Sequence, residues 1–266
     1  MSRPSIEDYA TYEESAFPGL WQGVVGAWAP CLGPTGLRLH DFSQSQLWGT
    51  LTNMDAAADW QTSRGVYALR TTGTDTAGSN ATQDRVEIDY DYGALNVLTF
   101  SAWVWPVTLN KRGICTTGPN YSQPRFAITL LTTGQLETFR GANTNSTASI
   151  SAGQWNFFSV SNNSLVTRYH INGKFDSQSN QTIGFNAQTN FQISNNYWGA
   201  FEGFLAFAVI HNRILSTDEH ILLNTIGPGG IFQRRKRRYS FEQPAAPTFK
   251  NYWLQKSRSL IGGGVK

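Results

Sequence analysis

The chain has 266 residues, enough for one large β domain or two small ones with a substantial core. Aromatic residues make up 13% of it, only two methionines occur, and Thr, Ser, Asn and Gly abound, a composition that favours β structure. No apolar run approaches the roughly 20 residues of a membrane span, and the polar, acidic start of the chain does not read as a secretory signal.

Net charge is +3 but unevenly spread. Residues 232–266 hold nine Lys/Arg against Glu242, a net of +8, which leaves −5 on the remainder. A mildly acidic body therefore bears a strongly basic tail. The two cysteines, Cys31 and Cys115, have no partner motif and read as buried thiols suited to a reducing compartment. Sequons at Asn80, Asn145, Asn162 and Asn180 read as polar loop composition.

Residues 1–19 form an acidic arm carrying Glu7, Asp8, Glu13 and Glu14, closed by Phe17-Pro18-Gly19. From residue 20 short apolar runs alternate with turn residues, at spacings of roughly ten residues that argue for a sandwich or barrel. The predicted strands are 23–28, 47–51, 65–70, 84–89, 97–105, 112–116, 125–131, 135–140, 154–161, 165–171, 189–193 and 203–211. Segments 154–161 and 165–171 read as a hairpin, and Asn172-Gly173 signals another tight turn. Both faces of 98–105 are apolar or aromatic, so that strand belongs at the centre of a sheet. Ser216-Thr217-Asp218-Glu219 is a capping box that opens one short helix, and Gly227-Pro228-Gly229-Gly230 ends it. A basic, aromatic tail occupies 231–266.

In this order the motifs VVGAWAP (24–30), YALRTTGTD (67–75) with RVEI (85–88), LTFSAWVWP (98–106), GQWNFFSV (153–160), LVTRYHINGK (165–174) and FEGFLAFAVIHNRILSTDEHILLN (201–224) resemble the laminin-G-like jelly-roll domains of the concanavalin A-like lectin/glucanase superfamily. The resemblance spans about residues 20–226. It implies an all-β fold: two antiparallel sheets face to face, one short C-terminal helix, and here extended terminal arms. Members are usually binding or structural modules without a shared catalytic centre. The opening GLWQGVVGAWAP (19–30) and the basic stretch beyond the domain are similar to versions found in tailed phages and prophages. Many members carry several acids near a calcium site, whereas here Asp75 stands alone.

The superfamily's endoglucanases place catalytic carboxylates on a strand reading E-x-D-x-E, which raises the stakes for VEIDYDY (86–92). Alternation would send Glu87, Asp89 and Asp91 out of one face. Residues four apart can approach the about 5–5.5 Å that double displacement needs. The plainer expectation is a half-exposed strand with wetted acids, while Val86, Ile88 and Tyr90 pack inward. His40, His170, His211 and His220 are scattered without metal-ligand spacing, and His170 reads as packing. There is no nucleophile elbow, P-loop or dinucleotide fingerprint, so no catalytic residue, metal or cofactor is assigned.

Within the tail, Arg234, Arg235, Lys236, Arg237, Arg238, Tyr239, Phe241, Phe249, Tyr252 and Trp253 are candidates for docking onto a protein partner. Packing on its own domain and nucleic-acid binding are the weaker readings of the same stretch. Tyr121, Tyr197 and Trp198 stand in turn-rich segments as candidate glycan contacts, against a plainer role in rim packing. The expected function is a non-enzymatic structural protein of a phage particle, as a head decoration, fibre or tail component, with possible glycan-binding loops. Its partners would be other virion proteins, copies of itself and cell-surface glycans, without membrane, and its place the virion assembled in host cytoplasm. A carbohydrate-binding module is the alternative, and a residual glycoside hydrolase runs third.

Overall fold

A computed structural model describes residues 15–73, 82–117, 126–140, 142–163, 165–180, 190–195 and 198–232. The chain divides into two units, Met1–Arg234 and Arg235–Lys266, and the second lies outside the described residues. In the first unit the strands are β1 (Val24–Trp28), β2 (Arg38–Leu39), β3 (Gly49–Thr52), β4 (Trp60–Ser63) and β5 (Val66–Thr71). Then come β6 (Arg85–Ile88), β7 (Leu98–Pro106), β8 (Arg112–Thr117), β9 (Ala127–Leu130), β10 (Gln135–Phe139) and β11 (Asn143–Ser149). The last five are β12 (Asn156–Asn162), β13 (Val166–Ile171), β14 (Lys174–Asn180), β15 (Phe191–Ile193) and β16 (Gly203–His211). Helix α1 (Pro18–Trp21) precedes the first strand and α2 (Thr217–Ile226) follows the last.

These strands form two antiparallel sheets stacked as a sandwich, the expected jelly-roll class. One runs β14-β13-β12-β7-β16-β5-β4, and the other runs β11-β10-β9-β8-β15-β6-β3-β2. Strand β16 serves two neighbours on one side, pairing Leu205 with Leu69 of β5 and Val209 with Ala27 of β1. The core between the sheets includes Trp28, Phe100, Val104, Phe158, Phe191 and Ile193. Trp28 lies edge-on to Tyr92 at 5.8 Å, and Tyr92 edge-on to Phe191 at 5.3 Å, the geometry aromatic quadrupoles prefer.

A second apolar layer covers the outside of the β7 sheet. There Leu20 and Trp21 of α1, Leu223 of α2, and Ile231 and Phe232 pack with Phe157, Phe207 and Val209. Trp103 joins this outer layer while Phe100, Ala102 and Val104 face the inner one, so β7 is central and covered on both faces as its pattern predicts. Asn172 and Gly173 turn with φ of 49° and 78°, the left-handed pair that a two-residue hairpin requires. The Ser216 side chain accepts from the Glu219 amide and Glu219 accepts from the Ser216 amide, so the capping box is realised.

Four strands escaped the sequence reading. Strands β2, β4, β11 and β14 are short, lie at or next to a sheet edge, or are largely polar, so no apolar alternation marks them. The expected strand 84–89 stops at Ile88, and VEIDYDY does not continue as one strand. Tyr90 was expected inside but is 41% exposed, whereas Tyr92 is fully buried and donates its hydroxyl to the Val25 carbonyl at 3.1 Å. Seating Tyr92 against Trp28 turns the chain after Ile88 and breaks the alternation.

The sheet edges meet at β11 and β14. There the Asp176 carboxylate accepts from the Thr147 and Ala148 amides, both at 2.8 Å. Replacing Asp176 with Ala leaves the Ala148 amide to water and the Thr147 amide to the Ser177 hydroxyl at 3.2 Å, and should cost about 1–2 kcal/mol. Urea unfolding measures the loss, with faster amide exchange expected first at Thr147 and Ala148.

Candidate functional site

Of the three aromatic side chains singled out as glycan contacts, Trp198 is described, and Tyr121 and Tyr197 lie outside the described residues. The ten tail positions from Arg234 to Trp253 lie outside them too, as does Asp75. Trp198 is 38% exposed, unusual for an indole in a segment with so many backbone restraints.

Those restraints come from several elements at once. Arg112, itself only 7% exposed, donates Nη1 to the Trp198 carbonyl at 2.9 Å. The Gly113 amide donates to the Gly199 carbonyl at 2.9 Å, and Gly113 forms a parallel bridge with Ala200. Gln83 Oε1 accepts from the Ala200 amide at 3.1 Å, and Thr71 Oγ1 donates to the Phe201 carbonyl at 2.6 Å. Gly73 approaches so closely that a Cβ there would stand 2.4 Å from the Ala200 carbonyl oxygen. Strands β5 and β8 and the residues beside them thus hold 198–201 from both sides.

Lys111 places Nζ 4.1 Å from the Trp198 ring centroid and 3.3 Å from Glu137 Oε1. Glu137 pairs with Thr129 of β9 and Asn145 of β11, on the face of the β8 sheet that points away from the core. The cation–π contact is worth about 0.5–1 kcal/mol at an exposed site. The result is a rigid rim: an aromatic plate, a cation lying on it and a carboxylate beside the cation. Neither Lys111 nor Glu137 was singled out in the sequence, because only cross-strand register brings them together.

The suspected acids are arranged differently. Glu87 shares its carboxylate between Arg85 Nε at 2.7 Å and the Thr52 hydroxyl at 3.2 Å. Asp89 and Asp91 lie beyond the strand end, one exposed and the other at the start of a short 3-10 turn. Burial pushes the Cys31 thiol up to about 12 and raises Cys115 well above its ordinary value, so neither is an activated nucleophile. Both are free; Cys115 is buried as expected, whereas Cys31 keeps part of its surface exposed. Among the described residues no three His, Cys, Asp or Glu side chains converge as a metal site. An open groove of about 480 Å³ lies beside α1, lined by Trp21, Gln22, Gly23, Val24, Gln44 and Asn212 among others, with no ionisable side chain in its wall.

A family model described as the concanavalin A-like lectin/glucanases superfamily, of laminin-G type, matches residues 79–219, more than half of the chain. The chain belongs to the concanavalin A-like lectin/glucanase superfamily. No curated protein sequence matches it significantly. Several solved structures share the superfamily fold at low identity. Domain 4 of AbnA, an extracellular arabinanase from Geobacillus stearothermophilus, has a TM-score of 0.56 and 16% identity, over 78% of this chain and 98% of that one. A sialidase of Trypanosoma rangeli has a TM-score of 0.55 and 14% identity, over 76% of this chain. The binding domain of botulinum neurotoxin DC has a TM-score of 0.55 and 12% identity, over 77% of this chain and 52% of that one. The match spans about a third of the sialidase, 32%.

Arg112 is the testable keystone of the rim. Arg112→Ala removes a buried charged donor from the Trp198 carbonyl, and a stability loss of about 1.5–3 kcal/mol is expected. Chemical denaturation read by far-UV dichroism checks it.

Proposed function

We propose that the chain is a non-enzymatic structural component of a phage particle whose sandwich presents a glycan-contacting rim centred on Trp198. The observation that carries the glycan part is the immobilised, exposed indole with Lys111 and Glu137 beside it. A sugar presents apolar C–H faces to an aromatic plate and hydroxyls to neighbouring charges, and binding sites of this kind combine aromatic surface with a few fixed polar groups. Holding the loop beforehand lowers the ordering cost of binding. Proteins that contain similar folds, solved with sialic acid, SialylT and arabinotriose, support a saccharide as the ligand class.

The non-enzymatic part rests on Glu87. Its carboxylate is paired with Arg85, and Asp89 and Asp91 lie beyond the strand end instead of in a row with it on one strand face, the arrangement that double displacement would use. Glu87→Gln should leave any trace of hydrolysis unchanged.

The particle part rests on composition. The body carries −5 and residues 232–266 carry +8, with Phe249, Tyr252 and Trp253 among them, the residue types that dominate protein interfaces. Other virion proteins and neighbouring copies are the partners proposed for that segment. Deleting 233–266, which spares the buried Phe232, should abolish incorporation into particles while the sandwich still folds; unchanged assembly would remove this reading.

A free-standing carbohydrate-binding module is the second reading, favoured by the 98% coverage of the arabinanase domain. A glycan array with residues 15–232 separates the two, since millimolar or tighter binding without particle incorporation supports capture. In either case Trp198→Ala should weaken binding about tenfold or more, a loss of the about 1.4 kcal/mol that one factor of ten represents. Thermal stability should change little, because the ring is on the surface.

A further inference from the structure

Helix α2 is held down by few fully buried side chains. Of its ten residues only His220 and Leu223 are buried. His220 stacks on His170 of β13 with ring centroids 3.7 Å apart and planes 25° from parallel. His170 is 4% exposed and His220 0%. The sequence reading took His170 for satisfied packing; the packing is there, but its Nδ1 is buried without a hydrogen bond among the described residues. Neither ring nitrogen of His220 has a well-formed bond, and only a loose contact with the Leu215 backbone helps it. Lone pairs of imidazole lie in the ring plane, so two face-to-face rings do not converge on a metal between them.

The layer beneath this pair is polar. His170 pairs across the strands with Ser159, whose hydroxyl lies 2.8 Å from that of Ser101. His211 pairs with Thr99 and has Nε2 2.8 Å from the Leu20 carbonyl, leaving its Nδ1 buried and unbonded. Three histidines thus sit at the junction of α2 with the sheet.

We propose that the stacked His170–His220 pair is an acid-sensitive latch: protonation drives the rings apart and releases α2 from the β7 sheet. Stacking tolerates two neutral rings, whereas two imidazolium cations face to face repel and each lacks the solvation it has in water. Burial, and then Arg168, lower the His170 pKa from 6.5 to about 4; burial, and then His170 itself, lower His220 to about 3. The remaining charges offset this little. Asp176 on β14 and Glu219 on α2 favour the charged forms, while Arg168 on β13 opposes it at His170 and Arg213 after β16 opposes it at His211.

The sign follows from these depressed values. Docking is fully stable above about 6.5, where a released histidine is also neutral, and is lost as pH falls from there toward 4. At about pH 5 the released state gains on the order of 30-fold per histidine.

Amide exchange of the full chain at about pH 7 and pH 5, corrected for intrinsic rates, tests the latch. Opening of 217–226 should rise about tenfold or more beyond any rise in β7; a smaller excess overturns the proposal. Replacing both His170 and His220 with Phe keeps an aromatic stack without either titration and should abolish the excess, and persistence of the acid effect in that double variant also overturns the proposal. Should that variant not fold, histidine NMR on the wild type decides. Both imidazoles should stay neutral to below about pH 5 while α2 is docked, and titration near 6.5 in the docked state refutes the latch.

Discussion

Phe100, Ala102 and Val104 of β7 pack into the sandwich while Trp103 packs with Phe157 on the other side, so the strand is covered on both faces and keeps only part of Trp103 and Trp105 toward water. Each large side chain buried this way contributes about 1.5–3 kcal/mol, against about 1–2 kcal/mol of backbone entropy for each residue ordered. That balance makes the covering segments obligatory. α1, α2 and the turn at Ile231–Phe232 close the outer face of the β7 sheet. The glycan rim proposed above lies away from that cover, where Lys111, next to the start of β8, meets Trp198.

Much of this was legible because it rests on local rules. Double-sided hydrophobicity marked β7, the Asn172-Gly173 pair marked a hairpin, and a capping box marked α2, each through residues close in sequence. Strands β11 and β14 were not legible because NTNSTAS and KFDSQSN gain their order from edge pairing and from Asp176, which only tertiary structure supplies. VEIDYDY misled for a related reason. Strict alternation is a property of an uninterrupted strand, and the pocket that takes the Tyr92 ring overrides it.

The candidate site divides the same way. An exposed tryptophan in a turn-rich segment can be noticed in one dimension. Its restraint by Arg112, Gly113, Gln83 and Thr71 cannot, since sequence separations of about 85 to 130 residues bring these groups together. The histidines make the point more sharply. Read singly along the chain they looked unrelated, yet register places His170 under a helix that begins 47 residues later.

The carboxylate of Asp176, which occupies the amides of Thr147 and Ala148, has a bearing on crowding. A terminal strand with free donors invites a stranger's backbone to extend the sheet, and it does so more strongly as molecules are brought side by side. Capping those two donors internally withdraws them from any such pairing. Copies ranged at close quarters would then meet, along this stretch of β11, a carboxylate already satisfied instead of a pair of open backbone donors.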